Sequence, residues 1–358
     1  MINVTQPFLP PYDDFEKLIK QVWERKWLTN NGPLVQELEQ KLKEYLGVKH
    51  LFFTNNGTIA IQIAIKALEL KGEIITTPFS YVATTNSIIW EGCTPVFADI
   101  KSTDYNIDPD TIVPLINERT SAILATHVYG NPCEIEKLET IAKTHKLKVI
   151  YDGAHAFGAT YKQKHILSYG DISTCSFHAT KLFHTTEGGA IIVNDDAVAE
   201  KVMLYRQFGH IGDEYFTVGI NGKNSEIHAA MGIANFPYIE DIISKRKTLC
   251  EAYDKNLKNI LIRPQGIIGT AYNYAYYPVV FESETQLLKM KESLANCSIF
   301  TRRYFFPSLN QLKFTEGKHA CPVSESIAPR VLALPLFYDL QVRDVNVICD
   351  YLKKFLKS

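Results

Sequence analysis

A lysine stands in an unusual setting at Ser176-Phe177-His178-Ala179-Thr180-Lys181, among small and hydroxyl residues. After it come Thr185-Thr186-Glu187-Gly188-Gly189-Ala190 and the apolar run Ile191-Ile192-Val193. Earlier in the chain, Asp152 directly follows the apolar stretch 147–151 and opens Asp152-Gly153-Ala154-His155. A lysine that forms imines, paired with a carboxylate that faces a pyridinium nitrogen, is what pyridoxal-phosphate chemistry requires. Opposite charges favour each other's charged form, and a protonated ring nitrogen makes the ring an electron sink. Each residue also has a plainer reading. Asp152 could cap the helix that follows, and Lys181 could be an ordinary surface lysine. His155 could bond the cofactor's phenolic oxygen, orient Asp152, or serve the structure alone.

Asn55-Asn56-Gly57-Thr58 joins a predicted strand to a predicted helix. Free backbone N–H groups and the helix dipole favour a phosphate there, and glycine lets a ligand approach the backbone. A capped strand–helix turn is the competing reading. Ser176, five residues before Lys181, offers a further phosphate hydroxyl. Neither G-x-G-x-x-G nor G-x-x-x-x-G-K-[ST] occurs, so dinucleotide and P-loop readings lack their fingerprints.

These groups need a frame. Phe15, Leu18, Ile19, Val22 and Trp23 follow helical spacing and predict an amphipathic helix over 12–27. Thr29-Asn30-Asn31-Gly32-Pro33 separates it from a second predicted helix over 34–45. Predicted strands at 51–54, 73–77, 94–98, 122–126, 149–151, 174–176 and 190–193 then alternate with helices, including 59–70 and 82–90. The alternation predicts an α/β architecture around a mostly parallel central sheet. Such folds place ligands at the carboxyl ends of their strands, where Asp152 stands. Near Pro237 the pattern changes to a long charged helix over 239–257, a strand over 274–280 and helices over 285–295 and 342–356. The expected division is a large domain, 1–238, and a smaller C-terminal α+β domain, 239–358.

The bulk composition narrows the function class. An apolar content of 46% with 22% charged residues is ordinary for a globular protein of 358 residues. A net charge of −1 argues against a general nucleic-acid or membrane-surface role. No apolar run approaches the roughly 18 residues a membrane span needs. The N-terminus lacks a basic region followed by an apolar core, so no signal peptide is expected. The seven scattered cysteines contain no C-x-x-C, which reads as reduced thiols in a cytoplasmic protein, without zinc or disulfide framework. No metal site is expected.

Taken in order, Asp152-Gly-Ala-His155, Ser176-Phe-His-Ala-Thr-Lys181 and Glu187-Gly-Gly-Ala190 resemble the signature of the DegT/DnrJ/EryC1/StrS sugar aminotransferases. The likeness extends to Thr77-Pro-Phe-Ser-Tyr-Val-Ala-Thr-Thr-Asn86, Asp99, Asn106-Ile-Asp108 and His127-Val-Tyr-Gly-Asn-Pro132. It continues through Arg206-Gln-Phe-Gly209 and Gly219–Gly232, and so spans nearly the whole chain. The resemblance implies the aspartate-aminotransferase fold type I, with pyridoxal 5'-phosphate as cofactor and pyridoxamine 5'-phosphate as its intermediate form. It assigns Lys181 to the cofactor imine, Asp152 to the pyridine nitrogen and His155 to the neighbourhood of the phenolic oxygen. Tyr81 would stack on the ring, and Gly57, Thr58 and Ser176 would hold the phosphate. Asn221 would reach the phosphate of a neighbouring subunit's cofactor, which implies a homodimer with sites at the interface.

Two departures stand out. Relatives often carry an aromatic and an arginine where this chain has Gly222-Lys223-Asn224, so Lys223 would contact a diphosphate without a bidentate fork. Relatives also often carry a histidine after Pro-Leu, whereas this chain reads Pro307-Ser308-Leu309-Asn310. Thr29, Asn30, Arg303 and Tyr304 complete the implied substrate contacts. The implied reaction takes an amino group from L-glutamate to a nucleotide-linked keto sugar. The segments 4–11, 27–33 and 302–309 look most like the subgroup that aminates dTDP-4-keto-6-deoxy-D-glucose for bacterial surface polysaccharide, O-antigen included. Amination at C3 of a dTDP-3-keto sugar is the alternative. Dehydratases of this fold typically carry histidine at the position of Lys181, so the lysine favours transamination.

Overall fold

Alternate residues of the central strands face opposite layers, as a pleated strand with two covered faces requires. In the computed structural model, which describes residues 1–315 and 319–356, β1 (His50–Thr54), β2 (Glu73–Thr76), β3 (Thr94–Phe97), β4 (Thr120–Thr126) and β5 (Lys148–Asp152) begin the sheet. A small hairpin follows, β6 (Thr160–Tyr161) and β7 (Lys164–His165), and then β8 (Ile172–Ser176) and β9 (Gly189–Val193). The seven sheet strands lie in the order β1-β9-β8-β5-β4-β2-β3. Ile123, Ala125, Val149 and Tyr151 enter one core, while Ala122, Leu124 and Ile150 enter the core on the other face.

Strand β9 runs antiparallel to both β1 and β8, whereas β8, β5, β4, β2 and β3 pair in parallel. The carboxyl ends of β1, β2, β4, β5 and β8 therefore share one edge, together with the amino end of β9. Every residue of β2 and β9 is buried. The Gly57–Ala67 and Asp196–Arg206 helices cover one face; the Pro33–Leu46, Ile135–His145 and Glu226–Asn235 helices cover the other.

A hairpin of β10 (His210–Ile211) and β11 (Glu214–Tyr215) stands off this body, and β12 (Thr270–Ala271) pairs with β6. The Ile239–Leu257 helix bridges two cores: Ile239 and Ile242 pack in the large one, Leu249, Tyr253 and Leu257 in a second. That second core is completed by β13 (Tyr277–Val280), β14 (Val331–Leu334) and the Glu284–Asn296 and Val342–Leu356 helices.

The structure differs from the sequence expectations at several edges. The first helix ends at Arg25 because Lys26 turns left-handed, and Trp23 is left 66% exposed although it continues the stripe of buried Val22. The strand expected over 274–280 begins at Tyr277, because Tyr274 has φ 54° and breaks the extended run. Helices at Ile135–His145, Asp196–Arg206 and Glu226–Asn235 were not assigned from sequence. Among the described residues, no helix is long and apolar enough to cross a membrane.

Candidate active site

The shared strand edge opens into a cavity of about 280 Å³. Asn56, Gly57 and Thr58 line it from the end of β1, Asp152 and His155 from the end of β5, and Ser176 and Lys181 from the end of β8. Tyr81 reaches it from the turn after β2, and Arg302 and Tyr304 from the segment that precedes β14 in the chain. Eight residues singled out from sequence thus meet in one place: Gly57, Thr58, Tyr81, Asp152, His155, Ser176, Lys181 and Tyr304.

At one end, the Asn56 side chain accepts from the Ile59 amide at 2.8 Å, and its carbonyl accepts from Ala60. No described residue accepts from the amides of Gly57 and Thr58 or pairs with the hydroxyls of Thr58 and Ser176. This is an anion seat at the N-terminus of an 11-residue helix. Close backbone approach builds it. A Cβ on Gly189 would come 2.5 Å from the Asn56 carbonyl group, and one on Gly57 would come 3.0 Å from the Ser176 Cβ.

Asp152 stands deeper and is 5% exposed. Its Oδ2 accepts from Thr84 Oγ1 at 2.6 Å and its Oδ1 from the Ala154 amide at 3.0 Å. Lys181 donates its backbone amide to His178, while its ammonium has no hydrogen bond or ion pair among the described residues. His155 Nε2 lies 3.1 Å from the Tyr304 hydroxyl, and its buried Nδ1 has no partner among the described residues. Burial, then the charges of Lys181 and Arg302, push the imidazole's pKa well below its ordinary value, so it stays neutral. Burial pushes the Tyr304 phenol well up, which keeps its proton in place. Phe305 stacks on His155 at 5.4 Å, and the Tyr129 hydroxyl donates to the Tyr304 carbonyl, fixing this wall.

The residues fit pyridoxal phosphate: an anion seat at one end, a buried carboxylate, an unpaired lysine, an aromatic face at Tyr81 and an orphaned imidazole nitrogen.

Other expected contacts lie elsewhere in the chain. Asn221 is exposed, and its carbonyl accepts from Asn55 Nδ2 at 3.2 Å, with the segment bridged to Gln207. Lys223 sits 4.5 Å over the Phe208 ring, its pKa lowered by burial and by Arg206. Thr29 and Asn30 lie on an exposed turn, where the Thr29 carbonyl accepts from Trp27 at 2.6 Å. Arg303 points away from the cavity: it donates to Glu284 at 2.6 Å and to the Pro329 carbonyl at 3.1 Å, and covers the Phe306 ring. Its neighbour Arg302 lines the cavity instead, 4.6 Å over Tyr304, with no hydrogen bond or ion pair from its guanidinium among the described residues. From sequence, Arg302 is only one of two basic residues suited to a diphosphate, with Arg303 taken as the contact, and Thr84 has no assigned role.

The chain matches the profile of the DegT/DnrJ/EryC1/StrS aminotransferase family over residues 12–353. It is 42% identical over 354 residues to the dTDP-4-amino-4,6-dideoxy-D-glucose transaminase of Escherichia coli, covering 95% of this chain and 94% of that one. It is 29% identical over 359 residues to the GDP-perosamine synthase of Escherichia coli O157:H7, covering 99% and 98%. The solved structure of DesI in the presence of its TDP-sugar product superimposes with a TM-score of 0.95 at 30% identity, covering 99% of this chain and 93% of that one.

Proposed function

Since the chain belongs to the DegT/DnrJ/EryC1/StrS aminotransferase family, of pyridoxal-phosphate enzymes with fold type I, we propose that it aminates dTDP-4-keto-6-deoxy-D-glucose at C4 with L-glutamate as donor. The observation that carries this reading is the meeting of an unpaired lysine, a buried carboxylate and an empty-handed anion seat in one cavity. The choice of sugar is supported by the 42% identity to a transaminase named for that product, against 29% for one named for a GDP-sugar.

Bound here, pyridoxal phosphate would supply the electron sink that lets a C–H bond beside nitrogen break. Gly57, Thr58 and Ser176 would hold its phosphate, Asp152 its ring nitrogen, Tyr81 one ring face and Lys181 its aldehyde end. The amine of Lys181, free of other partners, is the group able to take a proton from one carbon and deliver it to another. His155, neutral and orphaned at Nδ1, offers a hydrogen bond without adding a second positive charge. Arg302 would meet an anionic substrate group, a diphosphate or a donor carboxylate, by charge-assisted hydrogen bonds.

The same reading includes a homodimer. Asn221 is exposed and turned from its own subunit's cavity, as a residue serving a neighbouring site would be. Exposed Trp27, Leu28, Phe208, Ile211, Phe216 and Ile220 form apolar surface that a second copy would cover. A division at 238/239 and a cytoplasmic location belong to this reading as well.

The test is to incubate the enzyme with L-glutamate and a panel of nucleotide keto sugars, and to identify the product by NMR. The expected result is 2-oxoglutarate formed with dTDP-4-keto-6-deoxy-D-glucose and an amine at C4, lost in Lys181→Ala. Amination of GDP- or UDP-sugars alone, or at C3, would overturn the substrate assignment and leave the reaction class standing.

A further inference from the structure

Three buried hydroxyls lead in single file to Asp152. Thr126 Oγ1 donates to Ser80 Oγ at 3.0 Å, Ser80 Oγ lies 2.8 Å from Thr84 Oγ1, and Thr84 Oγ1 donates to Asp152 Oδ2 at 2.6 Å. Thr84 is 0% exposed, Ser80 2% and Thr126 3%. The direction of the protons follows from counting. A hydroxyl has one proton, and that of Thr84 is spent on the carboxylate. Thr84 must then accept from Ser80, and Ser80 from Thr126, so all three protons point towards Asp152.

A role in packing alone would not need this order, since valine or alanine would fill the same sites without polar atoms to satisfy. The chain also joins three separate elements: the end of β4, the turn after β2 and the Val82–Trp90 helix. It ends on the carboxylate that lines the cavity, and the second oxygen of that group is held by the Ala154 amide. Each oxygen thus has one protein donor and keeps lone pairs for a ligand.

We propose that Thr84, backed by Ser80 and Thr126, is the positioning residue for Asp152: the ordered hydroxyls fix the carboxylate as an acceptor aimed at the cofactor's ring nitrogen. The inference rests on reading Asp152 as the partner of that nitrogen.

The test compares dissociation constants, not turnover. Pyridoxal phosphate and its analogue with CH in place of the ring nitrogen are titrated into apoenzyme by fluorescence. Wild type is expected to prefer the natural cofactor. Thr84→Val should lose about tenfold of that preference, as an unmade hydrogen bond to a buried charge implies, with binding of the CH analogue nearly unchanged. Thr84→Ser, which restores the hydroxyl, should recover wild-type preference. Ser80→Ala should lose roughly threefold, because it only unbacks the chain, and it serves where Thr84→Val fails to fold. Equal weakening of both ligands, or no change of preference in either variant, would overturn the proposal. Asp152→Asn separates the two readings: if it abolishes the preference while Thr84→Val retains it, the proposal alone fails. Absence of any preference in wild type removes both.

Discussion

Arg302 and Arg303 are adjacent in the chain, yet one lines the cavity with its guanidinium unpaired among the described residues while the other is committed to Glu284 and the Pro329 carbonyl. Composition and spacing treat them alike, and the sequence reading chose Arg303. Strand geometry separates them: Arg302 pairs its backbone with Ala333 in the neighbouring strand, so the two successive side chains leave on opposite sides. Arg302→Gln is expected to raise KM for an anionic substrate about tenfold, the cost of one charge-assisted contact. Arg303→Gln should leave both KM values unchanged and lower the melting temperature by a few degrees at most. Steady-state kinetics over both substrates checks this; unmoved KM values in Arg302→Gln would exclude its role as anion partner. Asp152 and Ser176 are legible because each stands at the end of a predicted strand, and Lys181 because it follows in a run of small and hydroxyl residues unusual for a long cation. Thr84 was less visible, since its partner lies 68 residues away.

At the scale of elements, the site depends on remote ties that no local pattern announces. The Pro33–Leu46 helix starts at Gly32, which has no side chain to cap it. Buried Glu226 does so from the far side of the chain, accepting from the amides of Leu34 and Val35, each at 2.9 Å. A Cβ on Gly32 would meet the Glu226 carboxyl at 2.6 Å, so the glycine is what admits the carboxylate. Glu226→Ala should therefore cost about 1–3 kcal/mol of stability, read by urea denaturation, by leaving two buried amides unmet. A loss below a few tenths would show that water replaces the cap. Asn224 works similarly beside the anion seat, donating to the carbonyls of Thr54 and Glu187 and so holding β1 to the start of β9. The stretch Gly219–Gly232, which carries part of the family likeness, is thus partly a set of structural ties.

For the whole molecule, buried imidazoles set the response to acid. Burial lowers the His127 pKa from 6.5 to about 3, and His155 is also held well below its ordinary value. Below pH 6.5 the unfolded chain takes up protons that the folded one refuses. Stability is thus fully present above that pH and falls as pH drops towards the folded-state values. Each such group contributes a slope of about 1.4 kcal/mol per pH unit within the window. Denaturation midpoints are expected to fall steadily from pH 7 to pH 5; a flat profile would mean these histidines are protonated in the fold. Assembly gives a second prediction at this scale. If Asn221 serves the neighbouring site, Lys181→Ala and Asn221→Asp subunits, each impaired alone, form mixed dimers with one intact site. Random mixing should restore roughly a quarter of wild-type activity, since half the dimers are mixed. No recovery after subunit exchange would place Asn221's role within its own subunit.

Strand–helix alternation, the polar residues near predicted strand ends and the ordered short motifs determined the α/β class and the cofactor chemistry from sequence alone, and named residues that the structure gathers in one cavity. They are local signals, set by side-chain periodicity and by the cost of placing charge beside apolar strands. The tertiary structure decided the rest: the reversal of β9, which of Arg302 and Arg303 lines the cavity, the Glu226 cap and the hydroxyl file behind Asp152. Each joins residues far apart in the chain or depends on which side of a strand a side chain leaves, and hydrogen bonds of that kind exist only once the sheet has brought its strand ends to one edge.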